Sequence, residues 1–416
     1  MRLKGIFEVR IDINENMQKG EYNMCRYKII NAEIIGTDRI IHSGCIVVDG
    51  GIITKISTED IELDNCIIID AKGYYVSPGF IDIHSHGGGG ADFMDGTVEA
   101  YIQATETHAV HGTTAIIPTT LTSTNEELKN TFHVYNEAKR KNKKGSKLVG
   151  IHLEGPYFSM QQRGAQDPRY IKKPRSEEYK EILSWSDDII RWSAAPELEG
   201  ALEFGSYLSS IGILPSIAHS DAVYDEVFKA LKNGYTHITH FYSAMSGVKR
   251  VNGYRFGGVI ESGYLLDDMT VEIIADGAHL PAELLKLIYK IKGPDRIALV
   301  TDSMRAAGMP EGESILGSLK DGQKVIVEDG VAKLADRSAF AGSVATADRL
   351  VRNMINMAGV PLIDAVKMMT ITPAVILGFD KNKGSIEVGK DADIVIFDKN
   401  IQVLMTMDEG NVVYEG

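Results

Sequence analysis

Cysteine is scarce: Cys25, Cys45 and Cys66 are the only three in 416 residues, and none forms a C-x-x-C pair. That excludes a disulfide framework and a cysteine-built zinc site, and it fits a reducing cytoplasm. No stretch approaches the roughly 20 apolar residues needed to span a bilayer, so no membrane partner is expected. The N-terminus lacks the charged, apolar and small-residue order of a signal peptide. Positive charge is in deficit, with 44 Lys and Arg against 57 Asp and Glu, a formal net charge of −13. A nucleic-acid or anionic-membrane partner wants a basic face, so both are disfavoured. An anionic small molecule is not, because a few local cations suffice to hold it. Hydrophobic residues make up 44% of the chain and charged residues 24%, a globular balance with ample material for a core.

The chain changes rhythm along its length. Residues 1–24 read as an extension ahead of the main fold, and Met24 is an alternative start. From 25 to 77 the text is short strands and turns: KIINAEII, GCIVVDGGIITKIS and NCIIIDAKGYYVS. The Asp49-Gly50-Gly51 turn between β-branched runs is a hairpin signal. The same style returns from 384 to 416 in DADIVIFD and NVVYEG, which predicts a small β-sandwich domain assembled from both ends of the chain. Between 78 and 383 apolar runs alternate with amphipathic segments. Eight such runs (GFIDIHSH, TTAIIPTT, KLVGIHLEGP, IIRWSAAPE, ILPSIAHSD, THITHFYSA, VEIIADGAH and RIALVTDS) are interleaved with segments such as NEELKNTFHVYNEAKRK and PAELLKLIYKI. That period, eight units in about 225 residues, predicts a (β/α)₈ TIM-type barrel of class α/β. An open doubly wound sheet would show a G-x-G-x-x-G turn after its first strand; the GGGG at 87–90 lacks that spacing.

Barrel enzymes carry their chemistry at the C-terminal ends of the strands. Here those ends hold His84 and His86, Glu154, His219, His240, His279 and Asp302, whereas His42, His108 and His133 lie elsewhere. His84 and His86 are two apart on a strand, so both imidazoles leave the same face, a metal-ligand arrangement. Taken singly, each residue has a plainer reading. The HxH pair could be satisfied polar groups, and Glu154 could pair with a cation. His219 and His240 could be ordinary hydrogen-bonded histidines, and Asp302 could cap the next helix. Together, nitrogen and carboxylate donors from five strand ends converge on one mouth, and such a mixture suits zinc or iron rather than magnesium or calcium.

At these residues the chain resembles the amidohydrolase superfamily and, within it, the N-acetylglucosamine-6-phosphate deacetylases. The blocks PGFIDIHSHGGGG and GKDADIV are shared across the superfamily; HLEGP, ADGAH and LVTDSMRAAG are closer to the deacetylases. The resemblance covers nearly everything after residue 26. It implies a divalent ion on Glu154, His219 and His240, and a second ion on His84 and His86, bridged by Glu154. Asp302 would act as general base and then general acid, and His279 would touch the sugar. The expected reaction releases acetate from an N-acetylated sugar phosphate, N-acetylglucosamine-6-phosphate or an epimer such as N-acetylgalactosamine-6-phosphate; the rival within the superfamily is another amide substrate, as of a dipeptidase or deaminase. Two departures stand out. Family members carry a histidine in G-A-H-x-P that polarises the acetyl carbonyl; here Gln166 stands in GAQDP. The family's Asn-Ala-Met after the sixth strand is Ser243-Ala244-Met245, a shorter donor toward phosphate, with Ala244 beside it in the substrate site. In the following SGVKRVNGYRFGG, Arg250 is the match for the phosphate-binding arginine, with Lys249 and Arg255 as rivals. The resemblance also implies a homodimer whose loop reaches the neighbouring site. A barrel that has lost catalysis is disfavoured, since every chemical position is filled.

Overall fold

The computed structural model describes residues 26–416 together with the backbone of Val9–Asp12. The remainder of the expected extension, the alternative start at Met24 and Cys25 lie outside the described residues.

The eight expected barrel strands are all present and run parallel. Phe80–Ser85 and Thr113–Pro118 pair with each other, and a short strand Lys147–Leu148 continues from the second. Ile151–Glu154, Ile189–Ala194, Leu214–Ile217, His237–Ile238, Thr270–Ile273 and Ile297–Leu299 follow one another in a second parallel sheet. Two seams join the sheets. A parallel bridge links Thr119 to His152, and another links Ser85 to Ser303. At the second seam Asp302 N donates to His84 O at 2.8 Å, and Thr301 Oγ1 donates to Asp82 at 2.5 Å. The architecture is a TIM barrel with a small companion domain. The run KLVGIHLEGP is not one strand, because its first part pairs with Thr113–Pro118 and its second with Ile189–Ala194.

The pleat explains how apolar-looking strands supply polar groups. On the first strand Ile81 and Ile83 join Ala298, Val300 and Ala374 in one buried cluster, packing toward the helix Ile371–Leu377. Alternation then turns Asp82 and His84 to the opposite face, into the barrel. Helices seal the outside. Asn125–Lys141 coincides with the predicted segment, opened by a capping box between Thr124 and Glu127 that satisfies two otherwise orphaned donors.

The small domain is one nine-stranded mixed sheet among the described residues. Its two halves meet where Tyr75–Pro78 pairs antiparallel with Ile394–Phe397. Ile40–Asp49 and Ile52–Ser57 form the expected hairpin, with Gly50 and Gly51 at φ 59° and 81° as the turn demands. Val9–Asp12 adds an edge strand against Cys66–Asp70. An antiparallel meander, Gly312–Leu316, Gln323–Glu328 and Val331–Leu334, follows the eighth barrel strand. The Asp329-Gly330 turn within QKVIVEDGVAKL is a hairpin signal, but it lies outside the eight-fold pattern. No helix among the described residues is long and apolar enough to cross a membrane.

Candidate metal centre

Three of the candidate ligand positions sit in backbone that L-residues uncommonly adopt. His219, His240 and Asp302 have φ of 47°, 28° and 44°. Each lies just past the end of its strand, where a left-handed residue turns the chain sharply and aims the side chain back over the barrel mouth. Such conformations cost of order 1–3 kcal/mol each and persist where the surroundings impose them, commonly at active sites.

These turns gather two sets of ligand atoms: Glu154, His219 and His240 in one group, His84, His86 and Asp302 in the other. All six are buried. Glu154 faces both. Its Oε1 lies 3.3 Å from His219 Nε2 and 3.1 Å from His240 Nε2, and 3.7 Å from His84 Nε2; its Oε2 lies 3.5 Å from His86 Nε2. Asp302 Oδ1 is 3.4 Å from His84 Nε2 and 3.2 Å from His86 Nε2. The two imidazole nitrogens of His219 and His240 face each other at 3.2 Å.

The outer nitrogens fix the tautomers of three of the four imidazoles, His240 Nδ1 being buried with no hydrogen-bond partner. His219 Nδ1 lies 2.8 Å from Gln162 O, and His86 Nδ1 3.1 Å from Thr119 O. A carbonyl only accepts, so each Nδ1 carries the proton and each Nε2 turns a lone pair inward. His84 Nδ1 donates to the Glu272 carboxylate at 3.0 Å with the same result. This is the way metal-ligating histidines are held. His84 Nε2 is buried with no hydrogen-bond partner, which a cation would supply. The electrostatics agree. Burial pushes the Glu154 carboxyl up, but the surrounding imidazoles, His84 foremost, outweigh it and hold it well below the usual range. Asp302 is lowered in the same way, burial being overcome by His84 and His86. Burial opposes a charge on His86, yet Asp302 and Glu154 raise it to about 9, so a second proton on Nε2 competes with a cation for that lone pair. Two ionised carboxylates among inward-facing imidazoles call for positive charge, and a divalent ion fits the donor set.

The centre opens into a cavity of about 460 Å³. Gln166, Ser243, Ala244 and His279 line it together with His86, Glu154, His219, His240 and Asp302. Gln166 Nε2 donates to Glu154 Oε2 at 2.8 Å. His279 Nδ1 lies 2.8 Å from Asp276 Oδ2, which orients its ring beside Phe340. Arg250 is not among the lining residues. It is exposed on the hairpin Lys249–Val251 and Tyr254–Phe256, directly opposite Arg255. Lys249 is committed to Asp221.

Sequence reasoning missed the residues beneath the site. His152 stacks edge-on to His84 at 4.7 Å. His108, buried on the first barrel helix, contacts Ser85 and Ser303 at 3.2 Å each, behind His84, His86 and Asp302. Arg191 and Glu272 form a fully buried ion pair. A charge inside an otherwise apolar strand, as in IIRWSA and VEII, was the available signal.

Residues 75–413 match the amidohydrolase family. The chain is 34% identical over 339 residues to an N-acetylglucosamine-6-phosphate deacetylase of Vibrio furnissii, covering 81% of this chain and 82% of that one. It is 31% identical over 336 residues to an N-acetylgalactosamine-6-phosphate deacetylase of Escherichia coli O157:H7, covering 80% and 86%. The crystal structure of the N-acetylglucosamine-6-phosphate deacetylase of Pasteurella multocida superposes with a TM-score of 0.86 at 30% identity, over 94% of this chain and 100% of that one. With its ligand atoms gathered at the mouth of the barrel and this match spanning both domains, the chain belongs to the amidohydrolase family.

Proposed function

We propose that this protein removes the acetyl group of N-acetylglucosamine-6-phosphate, giving glucosamine-6-phosphate and acetate. The observation that carries this reading is the convergence of both ligand groups on Glu154, beside Asp302 and within the cavity lined by Gln166, Ser243, Ala244 and His279. Glu154, His219 and His240 would hold one divalent ion, zinc or iron, and His84 and His86 with Asp302 a second. Such an ion, when bound, activates water and withdraws charge from a carbonyl oxygen. Asp302, kept ionised by its imidazole neighbours, takes the proton of the attacking water and returns it to the departing amine. Gln166 commits one amide N–H to Glu154 and offers the other to the acetyl oxygen, where negative charge develops. His279, oriented by Asp276, meets a sugar hydroxyl. Arg250, outside this chain's own cavity, would hold the phosphate in the neighbouring subunit's site as a bidentate partner.

A second reading is N-acetylgalactosamine-6-phosphate as substrate, favoured by Ser243 in place of asparagine and by the E. coli relative. Acetate release from both sugar phosphates and from their unphosphorylated forms separates these cases. The expected order is N-acetylglucosamine-6-phosphate first, with activity abolished by a chelator and restored by zinc or iron. Equal inactivity on all four sugars in zinc- or iron-loaded enzyme would refute the assignment.

We further read the chain as a cytoplasmic homodimer. The exposed Val248, Val251, Tyr254 and Phe256 of the Arg250 hairpin support an interface there. The small domain, built from 25–77 and 384–416 around the barrel of 78–383, is read as a curled sandwich, since its strands enclose one apolar cluster including Ile46, Ile69, Ile394 and Met405.

A further inference from the structure

Directly below the metal centre, in the barrel interior, lies a pair of charges with no access to water. Arg191 and Glu272 are each 0% exposed. Arg191 NH1 donates to Glu272 Oε2 at 2.9 Å, and NH2 to Oε1 at 2.7 Å. Removing two charges from water into a barrel core offsets most of their attraction, so such a pair is weak evidence for stability and a better candidate for specifying one geometry.

What it specifies is written in its remaining bonds. Glu272 Oε1 accepts from His84 Nδ1 at 3.0 Å and from the backbone N of His240 at 3.2 Å. Arg191 donates to Ile83 O at 3.2 Å, Ser216 Oγ at 3.0 Å and Thr239 Oγ1 at 2.7 Å. Ile83 and Thr239 are the residues immediately before His84 and His240. The pair therefore fixes the ring of one ligand directly, and the backbone at two. Its side-chain bond to a ligand imidazole falls on one group alone. His86, His219 and Asp302 are held by other partners or none in this layer.

We propose that Arg191 and Glu272 are positioning residues that create the second cation site: Glu272 keeps the proton of His84 on Nδ1 and so dedicates Nε2 to an ion shared with His86 and Asp302. Arg191 makes that arrangement durable by locking both oxygens of Glu272 in place. This rests on the reading above that both ligand groups bind an ion, and it adds the device that makes the second one possible.

The test is a titration of metal-free protein with Zn²⁺, counting ions and affinities. The wild type is expected to take up two ions. A double variant, Arg191→Met with Glu272→Leu, removes both charges and leaves neither unpaired. It is expected to weaken one class of site by about 10–100-fold, the usual loss when a ligand's outer partner is removed, with the other class, touched only through the backbone of His240, weakened much less. Glu272→Asp keeps the charge pair but withdraws the carboxylate from His84. It should give the same selective loss, and it decides the matter if the double variant does not fold. Two unaltered classes in the folded variants, or equal weakening of both, overturns the proposal alone. A single ion on the wild type overturns the two-ion reading, and the proposal with it.

Discussion

Gln166 holds Glu154 by one carboxylate oxygen: its Nε2 donates to Oε2 at 2.8 Å, while its own Oε1 accepts from the backbone N of Thr122 at 2.9 Å. The amide is thus clamped at both ends and tied to the one carboxylate that faces both ligand groups. A histidine in this place could become cationic; a glutamine cannot, but its two N–H groups let it orient Glu154 and face the cavity at once.

Removing that clamp should therefore affect metal and turnover together. Gln166→Leu is expected to weaken zinc binding by about 10–100-fold and to lower kcat even at saturating zinc. Zinc titration beside steady-state kinetics checks this; a change confined to KM for the sugar would show that Gln166 does not orient Glu154.

Asp302 is the proposed proton carrier. Asp302→Asn preserves shape but removes the base, so kcat should fall by about 10²–10⁴-fold. The ion on Glu154, His219 and His240 should remain, since none of these three depends on Asp302. Elemental analysis of the purified variant, alongside its rate, tests both halves of the expectation.

Arg250 stands opposite Arg255 on an exposed hairpin, a like-charged cross-strand pair that is unfavourable unless an anion joins it. Arg250→Ala should raise KM for the sugar phosphate far more than it lowers kcat, because phosphate contacts are remote from the scissile bond. On the unphosphorylated sugar the variant and the wild type should behave alike. Comparing the two substrates distinguishes phosphate binding from a solvated loop.

Away from the site, Asp348 anchors the helix Ala347–Asn356. Burial pushes its carboxyl up, but His111 Nδ1 at 3.1 Å, Thr346 Oγ1 at 2.6 Å and Arg352 at 2.8 Å bring it down to about 2. A depressed carboxyl stabilises the fold above its unfolded value of about 3.9, and that contribution is lost as the pH falls from about 4 to about 2. Its size is about 2–3 kcal/mol. Denaturation curves of wild type and Asp348→Asn across pH 2–5 should converge toward the acid end; a constant gap would contradict the linkage.

The composition argued against a membrane or nucleic-acid partner and against a disulfide framework, and the alternation of apolar runs with amphipathic segments predicted eight strands that the fold contains. Periodicity is local: it follows from the pitch of a helix and the pleat of a strand, so it can be read from neighbours in the chain. The positions of His84, His86, Glu154, His219, His240 and Asp302 were legible for the same reason, since a strand's end is marked where its apolar run stops. Other matters depend on residues far apart in sequence. The pairing of Gln166 with Glu154, the clamp of Arg191 on Glu272, and the placement of His108 and His152 behind the ligands are contacts across the barrel. The left-handed turns at His219, His240 and Asp302 belong with them, because His and Asp enter that backbone more readily than most residues but still uncommonly, and the sequence does not say which of them will.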